Sequence, residues 1–263
     1  MKHVFKSIWF NKSLIFKLAV NDFKARYSGS FLGIVWAFVQ PLITVLVFWF
    51  VFQMGFKSAP IDNIPYILWF IPAYVPWIYF SDILNANATC MIEYGYLVKK
   101  VKFQVEVLPI VKIVSASFVH FFFIGFIFFM YAIYKVPFSI YNLQIFYYSF
   151  ATMMLGFGIG MFVSSVSVLF KDFSQVVAIF LQIGFWAIPI FWNPETMSPW
   201  VMRILKFNPI YYIVTGCRES FMDKTAFWAH RAYTVYFWVI TIILIFIGCR
   251  AFTRLRPHFA DEL

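Results

Sequence analysis

Six apolar stretches, at about 31–56, 64–92, 107–134, 142–170, 174–193 and 233–252, dominate this chain and leave little from which a water-soluble domain could form. A helix rises 1.5 Å per residue, so about 20 apolar residues cross a hydrocarbon core roughly 30 Å thick. The 263 residues are 63% hydrophobic and only 12% charged, an excess that a single anchor cannot supply. In lipid the backbone must satisfy its own hydrogen bonds, and long continuous apolar runs do so as helices. The expected fold is therefore all-α and integral to the membrane, one domain over 1–263 with six transmembrane helices.

The connections are informative because they are short. Residues 5–27 set Phe5, Ile8, Trp9, Leu14, Ile15 and Leu18 among Lys12, Lys17, Asp22, Lys24 and Arg26, the pattern of an amphipathic helix lying in the interface. Lys171-Asp172 makes a tight turn between the fourth and fifth stretches. Residues 194–230 carry Pro194, Pro199 and Pro209 among Trp200, Leu205 and Phe221, too apolar for a plain loop and too interrupted to span. Two short re-entrant or interfacial helices are expected there. With the N-terminus inside, 14 of the 21 Lys and Arg fall on the inner side, which places both termini in the cytoplasm of a multi-pass plasma-membrane protein. The net charge of +10 suits anionic lipid better than nucleic acid, since no basic run exceeds Lys99-Lys100. Cys90, Cys217 and Cys249 lie too far apart for a zinc knuckle or a disulfide framework.

No glycine is followed by lysine, so the chain carries no P-loop, and HExxH and GxSxG are also missing. A chain without its own ATP site, catalytic residues, metal site or cofactor is the reading. His120, inside the third stretch, is expected to hydrogen-bond between helices. Gly156, Gly160 and Ser164 recur at four-residue steps, the small-residue pattern of close helix contact. Asp82 is the one acidic residue well inside a stretch, and it is expected to be functional or paired locally, with Asn85 as a candidate partner. The segment 94–103 combines Tyr94, Tyr96, Leu97 and Phe103 with Lys99, Lys100 and Lys102. It reads either as a solvated positive loop or as a docking element for a cytosolic partner.

Asp22, Lys24, Arg26-Tyr27, Leu32-Gly33, Trp36 and Pro41 resemble the N-terminal signature of ABC-2-type permeases that export polysaccharides, and the likeness runs across nearly the whole chain. Phe170-Lys171-Asp172 is similar to that family's aromatic-basic-acid turn, with Lys where Arg is common. Pro189-Ile190-Phe191-Trp192, Leu205 through Tyr212, Arg218 and Phe259-Ala260-Asp261 are also family-like. Within the family, Ile188 to Trp192, Tyr211 to Phe221 and Tyr236-Phe237-Trp238 look closest to wall teichoic acid permeases, while O-antigen and capsule exporters share the same skeleton.

The resemblance implies a homodimer of six-span subunits working with two copies of a cytosolic ABC ATPase, which binds the ATP and Mg, and flipping a polyprenyl-diphosphate-linked glycopolymer outward. On that basis Tyr94, Tyr96, Leu97, Lys99, Lys100, Lys102 and Phe103, with Arg26 and Tyr27, are expected to couple to the ATPase. Trp36, Phe38, Trp77, Tyr79, Phe80, Asp82, Phe185 and Trp186 are candidates for the wall of a polymer channel, where aromatic rings can stack on sugar C–H faces. Phe191, Trp192, Asn208, Pro209, Tyr211, Tyr212 and Arg218 form the expected extracellular gate. Arg26 on the inside and Arg218 on the outside are candidates to meet the lipid diphosphate. An ATP-independent secondary transporter and a membrane glycosyltransferase are the competing classes.

Overall fold

A computed structural model describes Ser7 and residues 9–56, 64–100, 103–194 and 197–262, and its regular elements are helices. In chain order they are α1 Lys12–Arg26, α2 Trp36–Phe48, α3 Tyr66–Glu93, α4 Gly95–Val98, α5 Leu108–Ile133 and α6 Gln144–Leu169. There follow α7 Phe173–Ala187, α8 Pro199–Lys206, α9 Pro209–Phe221, α10 Arg231–Leu255 and α11 Phe259–Glu262. Five helical runs are long and apolar enough to cross a membrane: Gly33–Gly55, Tyr66–Glu93, Val105–Ile133, Ile140–Leu169 and Arg231–His258. These coincide with five of the six expected spans.

The stretch expected at 174–193 differs. Its helix, α7, has 15 residues, which reach about 22 Å, short of the roughly 30 Å of a hydrocarbon core. Pro189 is the cause: it disfavours helical geometry at the residue before it, and Ile188 is extended with φ −83° and ψ 142°. The expected short helices in 194–230 are present as α8 and α9, each with proline in its first turn, where the missing N–H costs nothing. The N-terminal helix forms as α1 but is no simple amphipath, because the face it buries includes Asp22 beside Ile15 and Ala19.

Helix α3 is the axis of the bundle. It is buried along most of its length and packs against α5, α6, α7 and α9. Pro72 removes the N–H that would bond the Leu68 carbonyl, and the Tyr131 hydroxyl on α5 donates to that carbonyl at 3.0 Å. By contrast α2 leaves Ile43, Leu46 and Val47 exposed, a face suited to lipid.

Helix α6 is gripped from two sides through glycines. A Cβ on Gly156 would meet Ile83 at 2.9 Å, and one on Gly160 would meet Asn87 at 2.9 Å, so the four-residue step faces α3. Gly158, off that step, meets the backbone of α10: a Cβ on Gly248 would lie 2.1 Å from the Gly158 carbonyl oxygen. Backbone cannot rotate away as a side chain can. Gly248→Ala is therefore expected to cost about 2–3 kcal/mol by forcing α6 and α10 apart. Gly125→Ala, with nothing within 4 Å of the added carbon, should be silent. Thermal melting of the detergent-purified variants checks both.

Candidate functional site

One end of the bundle is held by charge. The Lys112 ammonium on α5 is buried and sits 2.5 Å from Asp22 of α1 and 2.5 Å from Glu93 of α3. The Tyr94 hydroxyl donates to Asp22 at 2.9 Å, and Arg26 bonds Asp22 at 3.3 Å and Asp82 of α3 at 2.8 Å. Three helices are thereby tied by groups that would each be costly to bury alone. Asp82 is thus paired, not locally with Asn85 as expected but across helices with Arg26 of α1. Around this knot Ser7 and Asn11 donate to Gln104 at 2.5 and 2.6 Å, and Arg256, beyond α10, pairs with Glu106 ahead of α5.

The expected coupling residues divide into two sets. Tyr94 turns inward to Asp22, Leu97 and Phe103 are half-buried against the core, and Val98 is buried. Tyr96, Lys99 and Lys100 face outward on and after the single turn of α4, next to α11. Lys102 lies outside the described residues. Arg26 and Tyr27 belong to the knot and to the cavity above it, not to the outward patch.

That cavity, of about 350 Å³, opens between α2, α3, α5 and α7. Its wall carries Trp36, Trp77, Tyr79 and Phe185 with Gln40, Thr44, Asn85 and, toward the charged end, Asp82. His120 is stacked on Tyr79 at 4.2 Å between ring centroids and bonds Ser149 of α6 at 2.7 Å, the helix-to-helix bond expected of it. Three of the proposed wall residues lie elsewhere. Phe38 packs on Phe122, Phe80 lines a separate apolar cleft against α7, and Trp186 is exposed beside Phe191.

At the opposite end Asn208 caps α9 by accepting from Ile210 N–H at 3.2 Å. Asn208, Pro209, Tyr211 and Tyr212 line a second cavity of about 110 Å³ with Glu219 and His230. The Tyr212 hydroxyl meets Tyr147 at 3.0 Å and Thr234 at 3.1 Å, and its ring stacks on Phe237. Phe191 packs among Phe48, Phe185 and Trp186, and Trp192 donates its indole N–H to the Trp186 carbonyl at 3.1 Å. Arg218 is buried, not presented to a lipid diphosphate. It donates to the carbonyls of Trp69 at 3.2 Å, Pro189 at 2.7 Å and Ile190 at 2.6 Å, with its guanidinium 3.6 Å above the Trp69 ring. It satisfies carbonyls left free where Pro189 ends α7.

Sequence reading missed the Glu93–Lys112–Asp22 knot. The signal was there: lone charges within or beside apolar helices must find one another. Burial alone would raise the Asp22 carboxyl, but the Lys112 hydrogen bond and charge, aided by Arg26, outweigh it and hold the group below the ordinary aspartate value. A depressed carboxylate contributes stability above its unfolded value, near 3.9, and loses it as pH falls through the folded value. The melting temperature is thus expected to be flat from about pH 8 to pH 5 and to fall below about pH 4. Asp22→Asn should cost about 3 kcal/mol at neutral pH and weaken the acid-side fall. Melting curves of both proteins across pH check this.

A family model described as ABC-2 type transporter matches residues 13–222. The chain is also similar to proteins named O-antigen export system permease protein RfbA. One from Klebsiella pneumoniae is 24% identical over 263 residues, covering 97% of this chain and 98% of the relative. One from Myxococcus xanthus is 22% identical over 271 residues, covering 100% of each. The family match extends over more than three quarters of the chain, from the helix that carries Asp22 and Arg26 through the one that carries Arg218, and the chain belongs to the ABC-2 type transporter family.

Proposed function

We propose that this chain is the membrane-spanning permease of an ABC exporter that moves a lipid-linked polysaccharide across the cell membrane, powered by a separate ATPase. The single observation that carries this is its end-to-end similarity to O-antigen export permeases within a family of ABC transporters. It favours an O-antigen-type polysaccharide over wall teichoic acid, the substrate to which motif resemblance alone points. The cavity beside α3 agrees: indole and phenol rings alternate there with amide and hydroxyl groups, a surface on which sugar rings can slide without one fixed register.

In this reading the charged end is cytoplasmic, with both termini. The ATPase docks on Tyr96, Lys99 and Lys100, and its closure is passed through α4 and the Asp22–Lys112–Glu93 knot to α1 and α3. Two copies of the chain pair, α7 completes a sixth crossing together with the irregular residues after it, and α8 and α9 are re-entrant on the outer side. The gate is the α9 end of the bundle, where Arg218 makes α9 move with the end of α7.

Depleting the chain should leave lipid-linked polysaccharide on the inner leaflet, and its composition decides the substrate. A polyol-phosphate polymer there would return the assignment to teichoic acid. Trp77→Ala and Phe185→Ala are expected to lower export roughly fivefold with the complex still assembled, because each removes a ring from the cavity wall. Lys99→Glu with Lys100→Glu should cut co-purification of the ATPase about tenfold. Full recovery of the ATPase with that double variant would remove the docking role.

A further inference from the structure

Helix α8 is the most two-sided of the described helices. Trp200, Ile204 and Phe207 fall on one ridge at steps of four and three, all exposed, and Arg203 and Lys206 stand on the neighbouring ridge one turn apart. Between α8 and the first turns of α10 runs a groove of about 790 Å³, a size usual for small-molecule clefts. Met202, Tyr233 and Tyr236 line it, with Arg203 and Lys206 at its rim, and no carboxylate is among its described lining residues.

The groove is fixed in place. The Tyr236 hydroxyl donates to the Phe207 carbonyl at 2.8 Å, their rings meet edge to face at 6.2 Å, and the Lys206 ammonium lies 5.4 Å above the Tyr233 ring. Its depth follows from α10. The run Arg231–His258 has 28 residues, about 42 Å of helix against a core of roughly 30 Å, so it overhangs that core, and the charged Arg231 at its start sets its first turn among the head groups. An apolar trough with two cations at its lip, at that depth, has the chemistry of an acidic phospholipid.

We propose that this groove is a binding site for an acidic phospholipid, its phosphate held between Arg203 and Lys206 and an acyl chain lying along Met202 and the two tyrosines. Arg203 meets no carboxylate among the groove's described lining residues, and Lys206, which also lines the second cavity with Glu219, is shared between that carboxylate and an anionic head group. A zwitterionic lipid would bring its own amine against one of these cations. The flexible thioether adapts to a mobile chain, and Trp200 anchors the outer ridge at the interface. The site depends on the membrane setting of the chain and not on what the exporter carries.

The test uses the full chain in phosphatidylcholine nanodiscs doped with brominated phosphatidylglycerol or brominated phosphatidylcholine, reading the quenching of Trp200 as the difference between wild type and Trp200→Phe. Half-maximal quenching is expected at about a 25-fold lower fraction of the acidic lipid, since each of the two basic residues near acidic lipid adds a factor of about five. Arg203→Gln with Lys206→Gln should abolish the preference while the variant stays folded, its melting temperature falling by no more than the lost Lys206–Tyr233 contact accounts for. Should the double variant not fold, Arg203→Gln alone, at an exposed position, is expected to lose about half of it on a logarithmic scale. Equal quenching by both lipids in wild type, an unchanged preference in the folded variant, or a Trp200 shielded from both lipids by a second copy of the chain would each overturn the proposal.

Discussion

An ammonium group shut away from water must be answered by carboxylates, and Lys112 is answered by two, from two other helices. The rest of the charged end follows from that requirement. Asp22 must come inward on α1, so α1 cannot lie on the membrane surface as an ordinary amphipath; it is drawn against α5, where Ile15 and Ala19 bury beside Val107 and Val111. Glu93 must lie at the last turn of α3, and Tyr94 turns back to share Asp22. A buried pair of this kind is seldom a large net stabiliser, but losing one partner strands the other. It sets the relative position of three helices more firmly than it deepens the fold.

The opposite end solves a different problem with backbone instead of charge. Prolines in α3 and after α7 free carbonyls that lipid cannot solvate. A tyrosine hydroxyl takes one, and Arg218 takes those of Pro189 and Ile190 together with the Trp69 carbonyl of α3, its guanidinium lying over the Trp69 ring. Arg218 reads in sequence as a cation beyond the fifth stretch and so as a contact for an anion. Only the fold reveals that carbonyl oxygens from two distant segments converge on it.

What was legible in the sequence is what depends on period and composition. Apolar length located five spans, and proline spacing located α8 and α9. The glycine step in α6 announced a close helix contact without its partner, which is α3, and Gly158 escaped because its partner is the backbone of α10, which no side-chain pattern announces. The break at Pro189 was visible, yet its consequence for α7 was not, since an apolar stretch looks the same whether helix or extended chain traverses it. For the cavity, residue type proposed Trp36, Trp77, Tyr79 and Phe185, which do share one wall, but type could not separate them from Phe38, Phe80 and Trp186, which look elsewhere. Facing is a property of packing.

Arg256 reaches back to Glu106, and Phe259 is buried against Phe252, with α11 packed on α6 and beside α4. The surface around Lys99 and Lys100 is thus buttressed by residues translated some 160 positions later. During synthesis α4 and the helices ahead of α10 are made well before that buttress exists. A chain still lacking the segment after α10 would present α4 without its support, so the charged face is completed only when that segment folds back onto it.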